Sequence, residues 1–456
     1  MTGTITLPIW LFVLILLFAA VTFASHFLFP SVRWFFRRRL ERVVERLNAR
    51  LDVPIQPFKL ARRHDMIQRL IYDPQVTEAI VEHARAEGVP ENVAFEEAKR
   101  YAREIVPSFS ASAYFGVAMK AAKFVCTSLY RVRLGQYDEA ALTAVDREAT
   151  MVFVMNHRSN VDYVLVTYLA AERSALSYAV GEWAQVWPLS GLIRAMGAYF
   201  IRRKSRNELY RRVLARYVHM ATDAGVTQAM FPEGGLSLTG GLAEPKMGLL
   251  KYITDGFDPR TERDVIFVPV AINYDRVLED QVLIAAAGEK ERRFKADIGL
   301  VARSVLRLLW LRLRGRYHRF GYAAVSFGAP MSLKAHLAAQ PDTSTEALAE
   351  VLMARIGEIV PVLPVPLVAW LLQRHGPMTR GEIESGLNAL LPRIPQAHVH
   401  IPRDDMAYAT EVGLRNLIRR NLVDETDGRI TSRLEAQPTL DYYAASIAHL
   451  MPGDTR

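Results

Sequence analysis

An α/β fold, with a central sheet covered by helices, is what this 456-residue sequence predicts, and three observations lead there. Between about 148 and 330, short apolar runs rich in β-branched and aromatic residues alternate with helical stretches. From 33 to about 130, and again from 336 to 456, the spacing of apolar residues is that of helices. Half of the residues are hydrophobic and 23% are charged, ample for a packed core at a length that suits two or three domains. The same balance excludes a disordered chain. Lysine and arginine number 57 against 48 acidic residues, a net charge of +9. That excess suits an anionic partner: a membrane surface, a phosphorylated substrate or nucleic acid. Cys126 is the single cysteine, so no internal disulfide can form, a cysteine-based metal site is disfavoured, and a reducing, cytoplasmic setting fits the main body.

The amino terminus predicts a membrane anchor. No side chain from 5 to 29 carries a fixed charge, and the centre of the run reads IWLFVLILLFAAVTF. At 1.5 Å per residue, roughly 20 apolar residues cross a bilayer core. A signal peptide would open on basic residues, and the first eight positions contain none. Arg33, Arg37, Arg38, Arg39, Arg42, Arg46 and Arg50 follow, against Glu41 and Glu45. A flank so basic stays cytoplasmic and leaves the short amino end outside. The expectation is one transmembrane helix in the inner (cytoplasmic) membrane, with the catalytic body facing the cytoplasm.

Helices are expected over 76–86 and 92–105, the second started by Asn92. Strands are expected over 151–155, 198–201, 228–231, 265–272 and 323–327. The last region returns to helix, broken at Pro361, Pro364, Pro366, Pro392 and Pro395. The predicted division is an anchor over 1–30, a helical region over 31–130, an α/β catalytic domain over 131–335 and a helical region over 336–456. Within the last, helical patterns at 379–391 and 407–420 precede Asp427-Gly428, a hairpin signal. Helices followed by a hairpin suggest a winged-helix-like module.

Four blocks carry the chemistry. The strand 151–155 runs into Asn156-His-Arg-Ser-Asn-Val-Asp-Tyr163 and then a helix. Ser159 and Asp162 have capping-box spacing, which places Asp162 in the first helical turn and His157 in the turn before it, at the carboxyl edge of the sheet. Asp162 could hold one imidazole nitrogen while the other accepts a proton, a role worth about 10² to 10⁴ in rate; a turn residue beside a helix cap has the same spacing. The block Ala229-Met-Phe-Pro-Glu-Gly-Gly-Leu-Ser-Leu-Thr-Gly-Gly241 leaves a strand as a backbone-rich loop whose amides can face a phosphate or an oxyanion. It lacks the Gly-Lys-Ser/Thr ending of a nucleotide P-loop. Gly197-Ala-Tyr-Phe-Ile-Arg-Arg-Lys204, followed by Arg206, gathers cations at a strand end, where they face solvent or an anion. Val268-Pro-Val-Ala-Ile-Asn-Tyr-Asp-Arg276 reads alone as a core strand and a turn.

Taken in order, these blocks, with Pro245-Lys246-x-Gly248 and Tyr442-Tyr-Ala-Ala-Ser-Ile-Ala-His-Leu450, resemble the glycerol-3-phosphate acyltransferase family, in particular its large membrane-bound bacterial members. The likeness is firmest from about 150 to 280. It implies acyl transfer from an acyl-CoA or acyl carrier protein thioester to the sn-1 hydroxyl of glycerol 3-phosphate, with no metal and no further cofactor. It implies that His157 is the general base and Asp162 its orienter, and that Arg202, Glu233, Gly234 and Gly235 bind substrate, with Lys246 near the phosphate. The family pattern Gly-Arg-Ser-Arg is here Gly235-Leu-Ser-Leu238. Two lost guanidinium groups, each worth roughly 1.5–3 kcal/mol in a charged hydrogen bond, put the acceptor in question. Arg202, Arg203, Lys204 and Lys246 could compensate, or the acceptor is lysophosphatidate or dihydroxyacetone phosphate. An inactive membrane-bound scaffold and a membrane-tethered DNA-binding regulator are the readings from other classes; the second leaves the four blocks unexplained, so nucleic acid is not expected as a partner. Membrane lipids are, and the arginine-rich stretch 301–322 reads as a basic amphipathic helix for an anionic leaflet or, equally, as a core-packing helix with a snorkelling basic edge.

Overall fold

The computed structural model describes residues 8–51, 53–170, 175–181, 189–202, 207–288, 319–394 and 398–451, with the side chains of 23–37 and 39–41 outside the description. The expected amphipathic helix over 301–322 lies outside the described residues up to 318, as do Arg203, Lys204 and Arg206. The chain divides into two compact units, Met1–Pro54 and Ile55–Arg456.

The first unit is a helix, α1 (Ile9–Asn48), that passes residue 30 without a break. Its side chains from Ile9 to Val21 are exposed apart from the half-buried Leu11, Ile9 at 83% and Phe18 at 72%. Among the described residues no helix is long and apolar enough to cross a membrane. The expected span over 5–29 rests in part on 5–7 and on the side chains of 23–29, which lie outside the description.

The second unit is built on a mixed sheet. Its strands are β1 (Arg131–Tyr137), β2 (Thr150–Met155), β3 (Ser177–Gly181), β4 (Tyr199–Ile201), β5 (Gln228–Met230), β6 (Val265–Tyr274), β7 (Tyr322–Phe327) and the short β8 (Met331–Ser332). They lie in the order β1-β7-β6-β2-β5-β3-β4, with β8 beside β6. From β6 to β4 all strands are parallel, while β7 is antiparallel to β6 and parallel to β1. One sheet edge therefore collects the carboxyl ends of β6, β2, β5, β3 and β4 and the amino ends of β7 and β1. Every residue of β2, β5, β6 and β7 is buried, which explains their unbroken apolar runs in sequence. The expected strands all form, within a residue or two; β1, β3 and the short β8 were not expected. β1 is an edge strand in which Arg133 and Leu134 are both exposed, so its sequence shows no apolar face.

Helices cover the sheet as expected. Val152, Val154, Phe267 and Ala271 join a core with α2 (Arg63–Ile71), α3 (Pro74–Glu87), α4 (Glu91–Ile105), α7 (Glu208–Asp223) and α10 (Thr345–Glu358). Between them in sequence, α5 (Met119–Leu129) and α6 (Asp162–Ala170) pack together, and α8 (Gly248–Thr254) and α9 (Asp280–Ala287) follow β5 and β6. α4 starts at Glu91 after Pro90, one residue before the expected Asn92. Pro364 and Pro366 do not break a helix; they sit in the first turn of α11 (Pro364–His375), where a missing N–H has no intrahelical partner to lose. Then come β9 (Met378–Thr379), α12 (Arg380–Leu390), α13 (Met406–Arg419), β10 (Val423–Thr426), β11 (Arg429–Ser432) and α14 (Gln437–Ala445). Thr379 and Glu382 form a full capping box on α12. Asp427 and Gly428 both take positive φ (52° and 74°), the turn that a two-residue hairpin needs. β11 pairs with both β10 and β9, so the hairpin becomes a three-stranded sheet.

Asp275 joins this carboxyl-terminal region to the sheet. Its carboxyl accepts the Val365 N–H at 3.0 Å, at the start of α11, and the Tyr322 N–H at 2.8 Å, at the start of β7. Burial pushes its pKa up to about 7, against the two N–H donors and Arg131, which pull it down. A carboxyl raised in the folded state stabilises fully below its unfolded pKa, and that contribution is lost as pH rises through about 7. Chemical denaturation of wild type and Asp275→Asn between pH 4 and 7 is expected to show stability falling more steeply with pH in wild type, by about 1.4 kcal/mol per pH unit for one proton. Parallel curves would place this titration elsewhere.

Candidate active site

β2 ends at Met155, and the next residue closes the ladder with its side chain: Asn156 accepts the Ile272 N–H at 2.7 Å and donates to the Ile272 carbonyl at 2.9 Å. This ties the turn to β6 and presents His157 at the carboxyl edge. His157 Nδ1–H donates to Asp162 Oδ2 at 2.9 Å, with 3% and 0% of the side chains exposed. The same oxygen accepts the amides of Arg158 (2.7 Å) and Ser159 (2.9 Å), and Oδ1 accepts the Tyr274 hydroxyl at 2.6 Å. Asp162 is thus saturated with donors and cannot swing away, which sets the tautomer of His157. Its Nε2 hydrogen-bonds to no described residue. The ring stacks on Phe231, centroids 4.0 Å apart, and stands edge-on to Tyr163 at 5.4 Å.

The capping box forms by half. Asp162 reaches back to the Ser159 amide as expected, but Ser159 Oγ donates to Glu279 Oε2 at 2.8 Å instead of capping the Asp162 amide. Glu279 also accepts from the amide and side chain of Asn160, both at 2.8 Å. This carboxyl from the start of α9 pins the turn that follows His157.

The second block supplies the floor. Glu233 Oε1 accepts the His157 amide at 3.2 Å, while Oε2 is buried without a partner among the described residues. Burial pushes its pKa up to about 7; Arg158 and the amides of His157 and Ala243 oppose this, and Asp162 reinforces it. Gly234 turns the loop at φ +66°, and a Cβ there would lie 2.8 Å from Lys246 Cδ, so the lysine stem lies against it. Among the described residues, the amides of Gly235 and Leu236 donate to nothing, in keeping with a loop that offers N–H groups to an anion. Leu236 and Leu238 are half-buried.

Arg158 locks these parts to the carboxyl-terminal region. It is 2% exposed and donates to the Gly241 carbonyl at 3.1 Å and the Ser446 carbonyl at 3.3 Å. Asn273 does the same from β6, donating to the Pro361 carbonyl at 2.9 Å and to Ser446 Oγ at 3.3 Å.

His157, Asp162, Glu233, Gly234, Gly235 and Lys246 therefore come together. Arg202 does not join them: its guanidinium forks onto Glu104 at 2.6–3.0 Å, across the rings of Tyr101 and Tyr210. It ends β4 at the same sheet edge but three strands from β2, roughly 14 Å at ordinary strand spacing. Sequence reasoning missed Tyr274, Glu279, Arg158, Phe231 and Tyr163 as parts of the site. Each lies inside or beside a block already singled out, which was the available signal.

With this geometry in place, likeness to known proteins becomes specific. Residues 139–273 match the family model described as Acyltransferase, and 304–452 that of the glycerol-3-phosphate acyltransferase C-terminal region. A Pseudomonas putida (strain W619) protein named glycerol-3-phosphate acyltransferase is 28% identical over 428 residues, 86% of this chain and 49% of its own length. The protein of that name from Xylella fastidiosa (strain M12) is 26% identical over 91% of this chain and 50% of its own. That from Pasteurella multocida (strain Pm70) is 30% identical over 61% and 34%. The chain spans about half the length of the curated relatives it matches. From its sheet to its carboxyl-terminal helices, the chain is thus similar to proteins named glycerol-3-phosphate acyltransferase.

Proposed function

We propose that the chain transfers a fatty acyl group from a thioester of coenzyme A or acyl carrier protein to the sn-1 hydroxyl of glycerol 3-phosphate, giving lysophosphatidate. The observation that carries this reading is the buried His157–Asp162 pair, with Nδ1 committed to the carboxyl and Nε2 left for a substrate. His157 Nε2 removes the proton of the acceptor hydroxyl as its oxygen attacks the thioester carbonyl. Asp162 stabilises the imidazolium that results. The tetrahedral oxyanion then collapses, the carbon–sulfur bond breaks, and the thiolate takes the proton back from Nε2. The amides of Gly235 and Leu236 are the donors offered to an anion, and Lys246 places a cation over the same loop.

The acceptor's phosphate rests on Lys246 and on the loop, with Arg202 positioned through Glu104 at the outer strand. Attachment to the cytoplasmic membrane falls to α1, whose exposed apolar side chains would be costly in water. The carboxyl-terminal module, winged-helix-like in its order of helices and hairpin, buttresses the site through Arg158 and Asn273.

Comparing acceptors tests the reading. Purified protein is offered a labelled long-chain thioester with glycerol 3-phosphate, dihydroxyacetone phosphate or lysophosphatidate in parallel. Lysophosphatidate formed from glycerol 3-phosphate at the highest kcat/KM is the expected result; preference for another acceptor would overturn the substrate, and transfer to none would overturn the reaction. Restoring the family arginines, Leu236→Arg with Leu238→Arg, is expected to lower KM for glycerol 3-phosphate about tenfold or more.

A further inference from the structure

A second cluster of cations lies away from His157, and nothing in the reaction above uses it. Arg131 and Arg133 of the edge strand β1 are two residues apart and so project to one face of the sheet. Their guanidinium carbons lie 5.7 and 5.4 Å from the ring centroid of Tyr322, the β7 residue in register with Arg131. Arg403, from the segment that leads into α13, sits 4.2 Å from the Tyr408 ring centroid. With His398 and His400 these groups line a cavity of about 510 Å³, whose single carboxyl group is that of Asp404.

Several other arginines of this fold meet carboxylates, Arg202 with Glu104, Arg420 with Asp280 and Arg433 with Asp424, while the buried Arg158 meets backbone carbonyls. Among the described residues Arg131, Arg133 and Arg403 have no such partner. Three guanidinium groups around one cavity repel each other until an anion enters, and their planar forks match phosphate oxygens. The volume is larger than a lone phosphate needs and falls in the range of pockets that hold organic ligands. Tyr322 and Tyr408 add flat apolar walls. His400 adds no charge at neutral pH, since burial, Arg133 and His398 push its pKa down to about 4.

We propose that this cavity binds an organic phosphate, at a site separate from that of His157. Two sources share the chemistry: the nucleotide end of a coenzyme A thioester, or the phosphate headgroup of an anionic lipid. The first rests on the acyl-transfer reading. The amino end of β1 shares the sheet edge with His157, three strands from β2 and roughly 14 Å away at ordinary spacing, within reach of a flexible arm joining nucleotide to thioester.

The test measures equilibrium binding of the full chain to coenzyme A, to inorganic phosphate, and to vesicles of phosphatidylglycerol or of phosphatidylcholine. The comparison protein is Arg133→Gln with Arg403→Gln; both side chains are exposed, and its fold is checked by thermal unfolding. Saturable binding that weakens at least about tenfold in the double variant is expected. Weakened affinity for coenzyme A identifies a nucleotide, and weakened affinity for phosphatidylglycerol vesicles alone a headgroup. A smaller change with every probe, or no saturable binding of any, overturns the site. His157→Ala, measured alongside, is expected to lose transfer and keep this binding, so a failure of the acyl-transfer reading is told apart from a failure of the cavity.

Discussion

His157→Ala is expected to lower kcat/KM for acyl transfer at least about a hundredfold while the protein stays folded. The imidazole is the only group in the site with one nitrogen fixed on a carboxyl that accepts four hydrogen bonds and the other left open among the described residues. Asp162→Asn is expected to act in the same direction, because a neutral amide keeps the hydrogen bonds at that oxygen but no longer stabilises the imidazolium that forms on His157. Steady-state rates with a labelled thioester, beside thermal unfolding of each variant, separate loss of chemistry from loss of fold. A variant within about tenfold of wild type would remove His157 as the base.

The second large effect is on stability. Gly240 has φ +84°, and a Cβ built there would lie 1.8 Å from the Tyr442 carbonyl oxygen. Neither partner is a side chain that could turn aside; the loop backbone rests directly on α14. Gly240→Ala is expected to cost about 3 kcal/mol or more, combining strained backbone with a clash that must push α14 away. Gly256→Ala serves as the control, since Gly256 also has positive φ (+74°) but nothing within 4 Å of the added carbon. That variant is expected to lose only about 1–2 kcal/mol. Midpoints of chemical unfolding for the pair isolate the clash, and equal losses would mean that the loop does not bear on α14. Because Arg158 spans the Gly241 and Ser446 carbonyls from the residue after His157, the same substitution is expected to lower transfer as well.

The sequence by itself determined what depends on near neighbours. His157 and Asp162 are five residues apart, and one strand–turn–helix step can bring them together, so spacing offered their contact beside a plain turn-and-cap reading, and the fold makes it. The buried strands announce themselves by unbroken apolar runs, and Asp427-Gly428 by the positive φ that few other pairs adopt cheaply. Family likeness then attached roles to Glu233, Gly234, Gly235 and Lys246, which the fold gathers round the same turn. Only the tertiary structure decided what depends on distant partners. Tyr274 reads as a core aromatic until its hydroxyl is seen on Asp162, 112 residues away, and Arg158 as a surface cation until it spans two carbonyls in the interior. Arg202 reads as a cation at a strand end until Glu104, 98 residues earlier, is seen in its fork. A side chain's type states what it can bond to; which partner it meets is set by strand order and helix packing, and those are properties of the whole chain.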